Sequence, residues 1–364
     1  MADLEKTIIQ IRETLEKSYP LLLKQCGITE NGDYREPTTG FEDLRNQILP
    51  IIQADEKQLG AKEARNKFVQ EASFTTLNRL VGLKVMEARG LIERTYVTKS
   101  IDTGGKSEAH YLYLSRNPQA NSEPGQGINT VLREVFQTLS QELPQLYNGS
   151  RYGFLPRPSE TVAVIDLINS IDPNEWLKDD IIGWIYQYYN IAERRLLKDS
   201  KAKIDQSNVH YQSQQYTPSW VVKHIVDNTL GRYYLEMYPN SPLYDEIEIP
   251  IQKENLRKER EPKKLEEIKI LDPACGSGNF LLYSFELLQK MYLERGYDPG
   301  EISSLILKHN LFGIDLDDRA AQLTILSLYL KARTLDRHKN RYTMNVVSSD
   351  FHLSDSLELT AVRN

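Results

Sequence analysis

Residues 268–285 read I-K-I-L-D-P-A-C-G-S-G-N-F-L-L-Y-S-F, from Ile268 to Phe285. Ile268, Ile270 and Leu271 form a short apolar run with the look of a buried strand. Asp272 and Pro273 then open a loop of small residues, Ala274 to Gly278. Phe280, Leu281, Leu282 and Phe285 follow at helical spacing. Strand, glycine turn and helix make the opening unit of a doubly wound α/β domain. Gly276 and Gly278 let the backbone turn tightly and approach a ligand without a side chain between. The helix start behind them offers N–H groups. A phosphate-binding P-loop needs Gly-Lys-Ser/Thr, but Asn279 and Phe280 follow Gly278. A dinucleotide fingerprint needs Gly or Ala where Leu281 stands.

Working outward, Asn310 to Asp315 reads N-L-F-G-I-D, a second short strand ending in an acid. Asp317 caps a helix carrying Ala321, Ile325, Leu328 and Ala332. In doubly wound folds a carboxylate at the tip of the second strand binds ribose hydroxyls, and Asp315 can accept from both. The separation from the loop exceeds that of the dinucleotide motif, so a helical extension is expected near Gly296 to Gly300. Tyr342 to Ser348 supplies a third strand, followed by Ser349, Asp350 and Phe351. On the other side, Tyr216 to Gly231 reads Y-T-P-S-W-V-V-K-H-I-V-D-N-T-L-G. Thr217 suits an N-cap, Pro218 the first helical position, and Val221, Val222, Ile225, Val226 and Leu230 one apolar face. Residues 238–267 carry mixed charges and read as a solvated helix or linker.

The first 116 residues read mainly helical. Leu77, Val81 and Val85 mark a core-facing helix within 64–88. Leu91 to Thr98 and His110 to Leu114 alternate like two strands around I-D-T-G-G-K-S-E, a hairpin over 91–114. With the helix before it this allows a winged DNA-binding unit; the plainer reading is a helical scaffold with a surface hairpin. Residues 117–129 read as a linker, and helices resume over 131–146 and 161–171. The aromatic string around Trp184, Tyr188 and Tyr189 allows base stacking, but at helical spacing is more often packing.

The chain has 364 residues, 40% of them hydrophobic, enough for about two domains. The expected division is a helical domain over 1–205 and an α/β domain over 206–364. No apolar run reaches membrane-spanning length, and the amino terminus lacks a signal-peptide core, so a cytoplasmic protein is expected. Cys26 and Cys275 are too few and too far apart for a disulfide framework, and the histidines lack metal-ligand spacing. The net charge of −6 places any grip on nucleic acid in a local patch or outside the chain.

The third ligand class that uses such a glycine loop is S-adenosylmethionine. The string D-P-A-C-G-S-G-N-F, Asp272 to Phe280, closely resembles the first motif of adenine-specific DNA methyltransferases of the gamma type. The series Tyr216-Thr217-Pro218, Asp272-Pro273-Ala274-Cys275-Gly276, Gly278, Phe280, Asp315-Leu316 and Asp350-Phe351 is similar to that family in order and composition. The resemblance implies a helical amino-terminal domain followed by the first half of a Rossmann-like class I S-adenosylmethionine-dependent methyltransferase domain. It implies that the Thr217-Pro218 turn meets the methionine end of the cofactor and that Leu316 packs on its adenine. It further implies that Asp350 accepts from the adenine amine and that Phe351 stacks on the ring.

The strings F-T-T-L-N-R-L-V-G-L-K-V-M-E and D-I-I-G-W-I-Y-Q-Y-Y-N resemble the amino-terminal region of the PglX family, the large methyltransferases of BREX phage-defence systems. Related enzymes include type I modification subunits, fused type II restriction–modification enzymes and the DISARM methyltransferase. The implied activity is methyl transfer to the 6-amino group of adenine in double-stranded DNA, without a metal. Other defence-system proteins are candidate partners.

One departure from the family is large. Its acceptor motif, Asn/Asp/Ser-Pro-Pro-Tyr/Phe, is absent: no Pro-Pro occurs, and Asn117-Pro118 is followed by Gln119. The expectation is therefore an amino-terminal, cofactor-binding part of a longer enzyme with no catalytic residue of its own. The alternatives are a non-catalytic homologue that binds cofactor or a partner protein, and a winged-helix DNA-binding regulator using residues 64–116.

Overall fold

A computed structural model describes residues 2–148, 151–191, 217–247, 256, 260–336 and 341–348. It is mostly helical with one small parallel sheet. The chain divides into two compact units, Met1–Ile191 with Arg337–Arg341, and Ala192–Asp336 with Tyr342–Asn364.

The first unit contains α1 (Ala2–Gln25), α2 (Glu42–Leu59), α3 (Ala61–Ala88), α4 (Glu108–Arg116), α5 (Ile128–Leu139), α6 (Pro144–Tyr147), α7 (Pro158–Asn169) and α8 (Ile181–Tyr189). The centre is α3, packed by α1 and α2, and every residue from Ser73 to Met86 is buried. Most polar groups buried in such a stretch find a hydrogen-bond partner within the protein. Arg79 does so by donating to the carbonyls of Leu146 (3.0 Å), Tyr147 (3.0 Å) and Gly153 (2.9 Å), closing the end of α6. Thr76 shares a 2.6 Å hydrogen bond with the Tyr19 hydroxyl. The aromatic string in α8 is packing: Tyr186 and Tyr189 meet Phe74 edge-on at 5.6 and 5.4 Å.

The expected hairpin over 91–114 does not form. His110 to Leu114 lies within helix α4, and Leu91 to Thr98 pairs with no strand among the described residues. The cause is local. The Glu87 carboxylate, at the end of α3, accepts from the backbone N–H groups of Tyr96 (2.6 Å), Val97 (2.8 Å) and Thr98 (2.8 Å). Asn169 of α7 then accepts from Lys99 N–H (3.0 Å) and donates to Val97 C=O (2.8 Å). Side chains take the hydrogen bonds a partner strand would have used. The wing of the winged-helix alternative goes with the hairpin.

The second unit contains α9 (Ser219–Val226), a π turn (Asp227–Gly231), α10 (Arg232–Met237), α11 (Leu243–Glu246), β1 (Ile270–Asp272), α12 (Asn279–Glu294), α13 (Pro299–Leu305), a π turn (Ile306–Asn310), β2 (Leu311–Asp315), α14 (Asp318–Leu335) and β3 (Asn345–Ser348). Strand order is β1-β2-β3, all parallel, with Asp272 opposite Gly313 and Asp315 opposite Ser348. Parallel neighbours need crossovers; α12 with α13 makes the first and α14 the second. The extension expected near Gly296 to Gly300 is α13, which Asp298 caps by accepting from Gly300 N–H at 2.9 Å. Buried Asn310 ties the start of β1 to the crossover, donating to Leu265 C=O (2.7 Å) and Ile268 C=O (2.9 Å). The free edge of β1 has no strand partner among the described residues, and Leu271 is 58% exposed.

Candidate cofactor site

Parallel strands bring their carboxyl ends to one side of the sheet. Asp272 ends β1 and Asp315 ends β2, so both acids stand beside the glycine loop. The loop is fastened across the sheet. Cys275 N–H donates to Ile314 C=O (2.9 Å), and Gly276 N–H donates to Asp315 Oδ2 (2.8 Å). Asp315 Oδ1 accepts from Asp317 N–H at 2.9 Å, which orients the carboxylate. Each of its oxygens keeps a lone pair for a further donor. Asp317 Oδ1 accepts from Arg319 N–H at 3.0 Å and caps α14, as expected.

The two loop glycines do different work. Gly276 has φ +54°, and a Cβ added there would meet nothing within 4 Å. Gly278, at φ +89°, opens α12, and a Cβ there would stand 3.0–3.3 Å from Thr324 atoms. The first glycine leaves open space above the loop; the second lets α12 approach α14. Thr324 is fully buried, and its hydroxyl donates to Gly276 C=O at 2.9 Å. Sequence reading missed this residue, whose signal was a lone threonine in the apolar face of α14.

Asp272 Oδ1 accepts from Ala274 N–H at 3.1 Å, while Oδ2 is buried without a protein partner. Burial raises the Asp272 pKa above the ordinary carboxylate value; the Ala274 N–H opposes the rise, and the nearby Asp315 charge adds to it. Burial likewise pushes the Cys275 thiol up to about 11, so it stays protonated at neutral pH.

The other expected residues are partly gathered here. Pro273 and Phe280 line, with Asp272, a cleft of about 620 Å³ at the open edge of β1, whose far wall includes Ile225 and Tyr233. Leu316 follows Asp315 and is 68% exposed. Thr217 and Pro218 stand at the start of α9, outside that cleft's lining. The cap there is Pro218 rather than Thr217: its ψ of 140° is extended, and its carbonyl accepts from Val221 N–H at 2.9 Å. Tyr216, Asp350 and Phe351 lie outside the described residues. Among the described residues no cluster of His, Cys, Asp or Glu is arranged to hold a metal, and no helix is long and apolar enough to cross a membrane.

Residues 249–361 match the family described as "MmeI, DNA-methyltransferase domain". An adenine-specific methyltransferase BrxX from Escherichia coli O9:H4 (strain HS) is 38% identical over 330 residues, 79% of this chain and 26% of its own length. An adenine-specific methyltransferase PglX from Lacticaseibacillus casei (strain Zhang) is 26% identical over 425 residues, 96% of this chain and 34% of its own length. The chain is a homologue of these adenine-specific methyltransferases. A putative type II restriction enzyme and methyltransferase of Methanocaldococcus jannaschii is 24% identical over 352 residues, 80% of the chain and 28% of that protein. The chain thus spans between a quarter and about a third of the length of the curated relatives it matches. The described part of the matched family region holds β1, the glycine loop, Asp315 and β3.

Proposed function

We propose that this chain is the donor-holding part of an S-adenosylmethionine-dependent, adenine-specific DNA methyltransferase, its second unit being the first half of a Rossmann-like class I domain. The observation that carries the reading is the convergence at Gly276: its N–H on Asp315 (2.8 Å), open space where a side chain would stand, and the unpartnered Asp272 Oδ2 beside the loop. The donor set suits the cofactor's chemistry. Asp315 has lone pairs for ribose hydroxyls, and exposed Leu316 offers an apolar face for adenine. The Asp272 and Asp315 carboxylates favour the cationic methionine end, and Thr217 with Pro218 is assigned to that end by family likeness.

Bound there, S-adenosylmethionine supplies a methyl group on a positively charged sulfur. The residues of this chain orient the donor. An acceptor site must also hold the adenine amine so that its lone pair faces the methyl carbon, and a flipped base costs a few kcal/mol to extrude. These 364 residues contain no Asn/Asp/Ser-Pro-Pro-Tyr/Phe motif. Acceptor chemistry and duplex DNA contacts are therefore assigned to another polypeptide segment, in cis or in trans. The proposed setting is phage defence or restriction–modification in a bacterial cytoplasm, with defence proteins as further partners.

Calorimetry with S-adenosylmethionine tests the donor site. Asp315→Ala is expected to weaken binding by roughly 1.5–3 kcal/mol, about 10- to 100-fold. Equal affinity in a folded Asp315→Ala variant removes the assignment. Tritiated-methyl transfer tests the acceptor half. The 364-residue chain alone should not label DNA, whereas supplying a segment that bears the missing motif should restore labelling. Robust transfer by the chain alone would place acceptor chemistry within it.

A further inference from the structure

The segment read as a hairpin tip, S-I-D-T-G-G-K-S-E over Ser100 to Glu108, leads instead into α4. Gly104 and Gly105 have φ of +64° and +75°, and neither has an atom within 4 Å of where a Cβ would stand. The loop borders a cavity of about 430 Å³ whose polar lining includes Lys99, Lys106, Ser107, His110, Gln126 and Ser159, and no carboxylate lines it. Val97, Ile128 and Ile165 give it an apolar wall.

Ser107 is 3% exposed, and its hydroxyl has no partner in the protein. A buried hydroxyl without a partner costs about 1–3 kcal/mol. It stands at the cap position of α4 without capping it. Thr95 does that work: Glu108 N–H donates to Thr95 Oγ1 (3.0 Å) and Ala109 N–H to Thr95 C=O (2.9 Å). The serine hydroxyl is left over for something else in the cavity it lines.

The surroundings select an anion. Lys106 makes no ion pair among the described residues, while Lys99 is held by Asp166. His110 Nε2 lies 2.8 Å from Gln126 C=O; a carbonyl only accepts, so that nitrogen carries the proton and Nδ1 faces elsewhere. Burial, then the two lysines, lower the His110 pKa, although the Gln126 bond opposes them. The positive end of the α4 dipole adds to the same field.

We propose that this cavity binds a phosphate monoester with an apolar or aromatic body, its phosphate on Lys106, Ser107 and the start of α4 and its body against Val97, Ile128 and Ile165. The volume lies in the lower part of the range for small-ligand pockets, roughly 300–1,000 Å³, and suits one nucleotide. The loop is not a P-loop, because Ser100 stands where that motif has its first glycine. The same chemistry is presented by a free nucleotide and by the phosphorylated end of a DNA strand.

The test is calorimetry on the 364-residue chain with thymidine monophosphate, with S-adenosylhomocysteine at saturation to occupy any adenosine site. Thymidine and a 5′-phosphorylated pentanucleotide are the further arms. Expected are binding of the monophosphate, at least tenfold weaker binding of thymidine, and about tenfold loss in Lys106→Ala. Ser107→Ala should lose several-fold with Tm unchanged or higher, since the hydroxyl it removes has no partner to lose. Tighter binding of the pentanucleotide assigns the site to strand ends; tighter binding of the monophosphate assigns it to free nucleotide. The proposal is overturned if neither phosphate ligand binds at millimolar concentration, if thymidine binds equally well, or if both variants bind like the parent.

Discussion

The loop from Asp272 to Gly278 and the loop from Gly104 to Ser107 use the same backbone device in surroundings of opposite charge. Each contains two glycines in the left-handed region and each leads into a helix. Beside the first stand two carboxylates, Asp272 and Asp315; beside the second stand Lys99, Lys106 and His110. A helix start favours anions in both cases. At the first loop the acids oppose that preference and suit hydroxyl donors and cations; at the second the lysines reinforce it. Glycine spacing therefore marks where a backbone can approach a ligand, and the flanking side chains decide which ligand comes.

The largest expected effect breaks the first loop. Gly276→Val should weaken S-adenosylmethionine binding more than 100-fold, beyond about 2.7 kcal/mol, because the side chain enters the open space. Its cost to folding should be confined to the positive φ, about 1–3 kcal/mol. Gly278→Ala should be worse than that for folding, since its Cβ also presses on Thr324. Thermal melts beside calorimetry check the pair; a larger stability loss in Gly276→Val would mean that its loop position is packed rather than open.

A smaller effect sharpens the second loop. Glu87→Gln should cost about 1–2 kcal/mol, because a neutral amide replaces the carboxylate that collects three backbone N–H groups. Hydrogen exchange at Tyr96, Val97 and Thr98 should quicken. Unchanged protection there would show that Asn169 alone pins the segment.

The smallest effect separates stability from binding. The Asp272 pKa is raised in the folded protein, so its protonated form favours folding. That contribution is complete below the unfolded carboxylate value and is lost as pH rises through the folded one. At neutral pH Asp272→Asn should therefore raise Tm slightly while weakening S-adenosylmethionine about three- to tenfold. A variant that lowers Tm and leaves affinity unchanged would remove Asp272 from the site.

Much of the second unit was legible because its punctuation is strong. Asp272-Pro273 and the loop glycines each force a local geometry, the long separation from the loop to Asp315 called for α13, and the apolar run ending in Asp315 is short enough to read as a strand. Thr324 was not legible, because its role is a contact with Gly276, 48 positions earlier in the chain. The hairpin was misread for a related reason. Five residues from His110 to Leu114 cannot by themselves separate strand from helix, and the carboxylate that claims the backbone of Tyr96 to Thr98 belongs to the preceding helix. In α3 the pattern understated burial, since Arg79, Thr76 and Lys84 are enclosed with their partners. Family likeness, rather than periodicity, was what singled out Tyr216, Asp350 and Phe351.

The threonine under the loop carries one more implication. Gly276 is held at both of its backbone polar groups, its N–H by Asp315 and its C=O by Thr324. Fixing one residue's backbone costs about 1–2 kcal/mol of entropy, and here folding has already met that cost. An arriving ligand then finds a surface rather than making one, so association should proceed in a single kinetic phase without a slow ordering step. Thr324→Val would keep the shape of the side chain and release the carbonyl, turning a lock into a hinge.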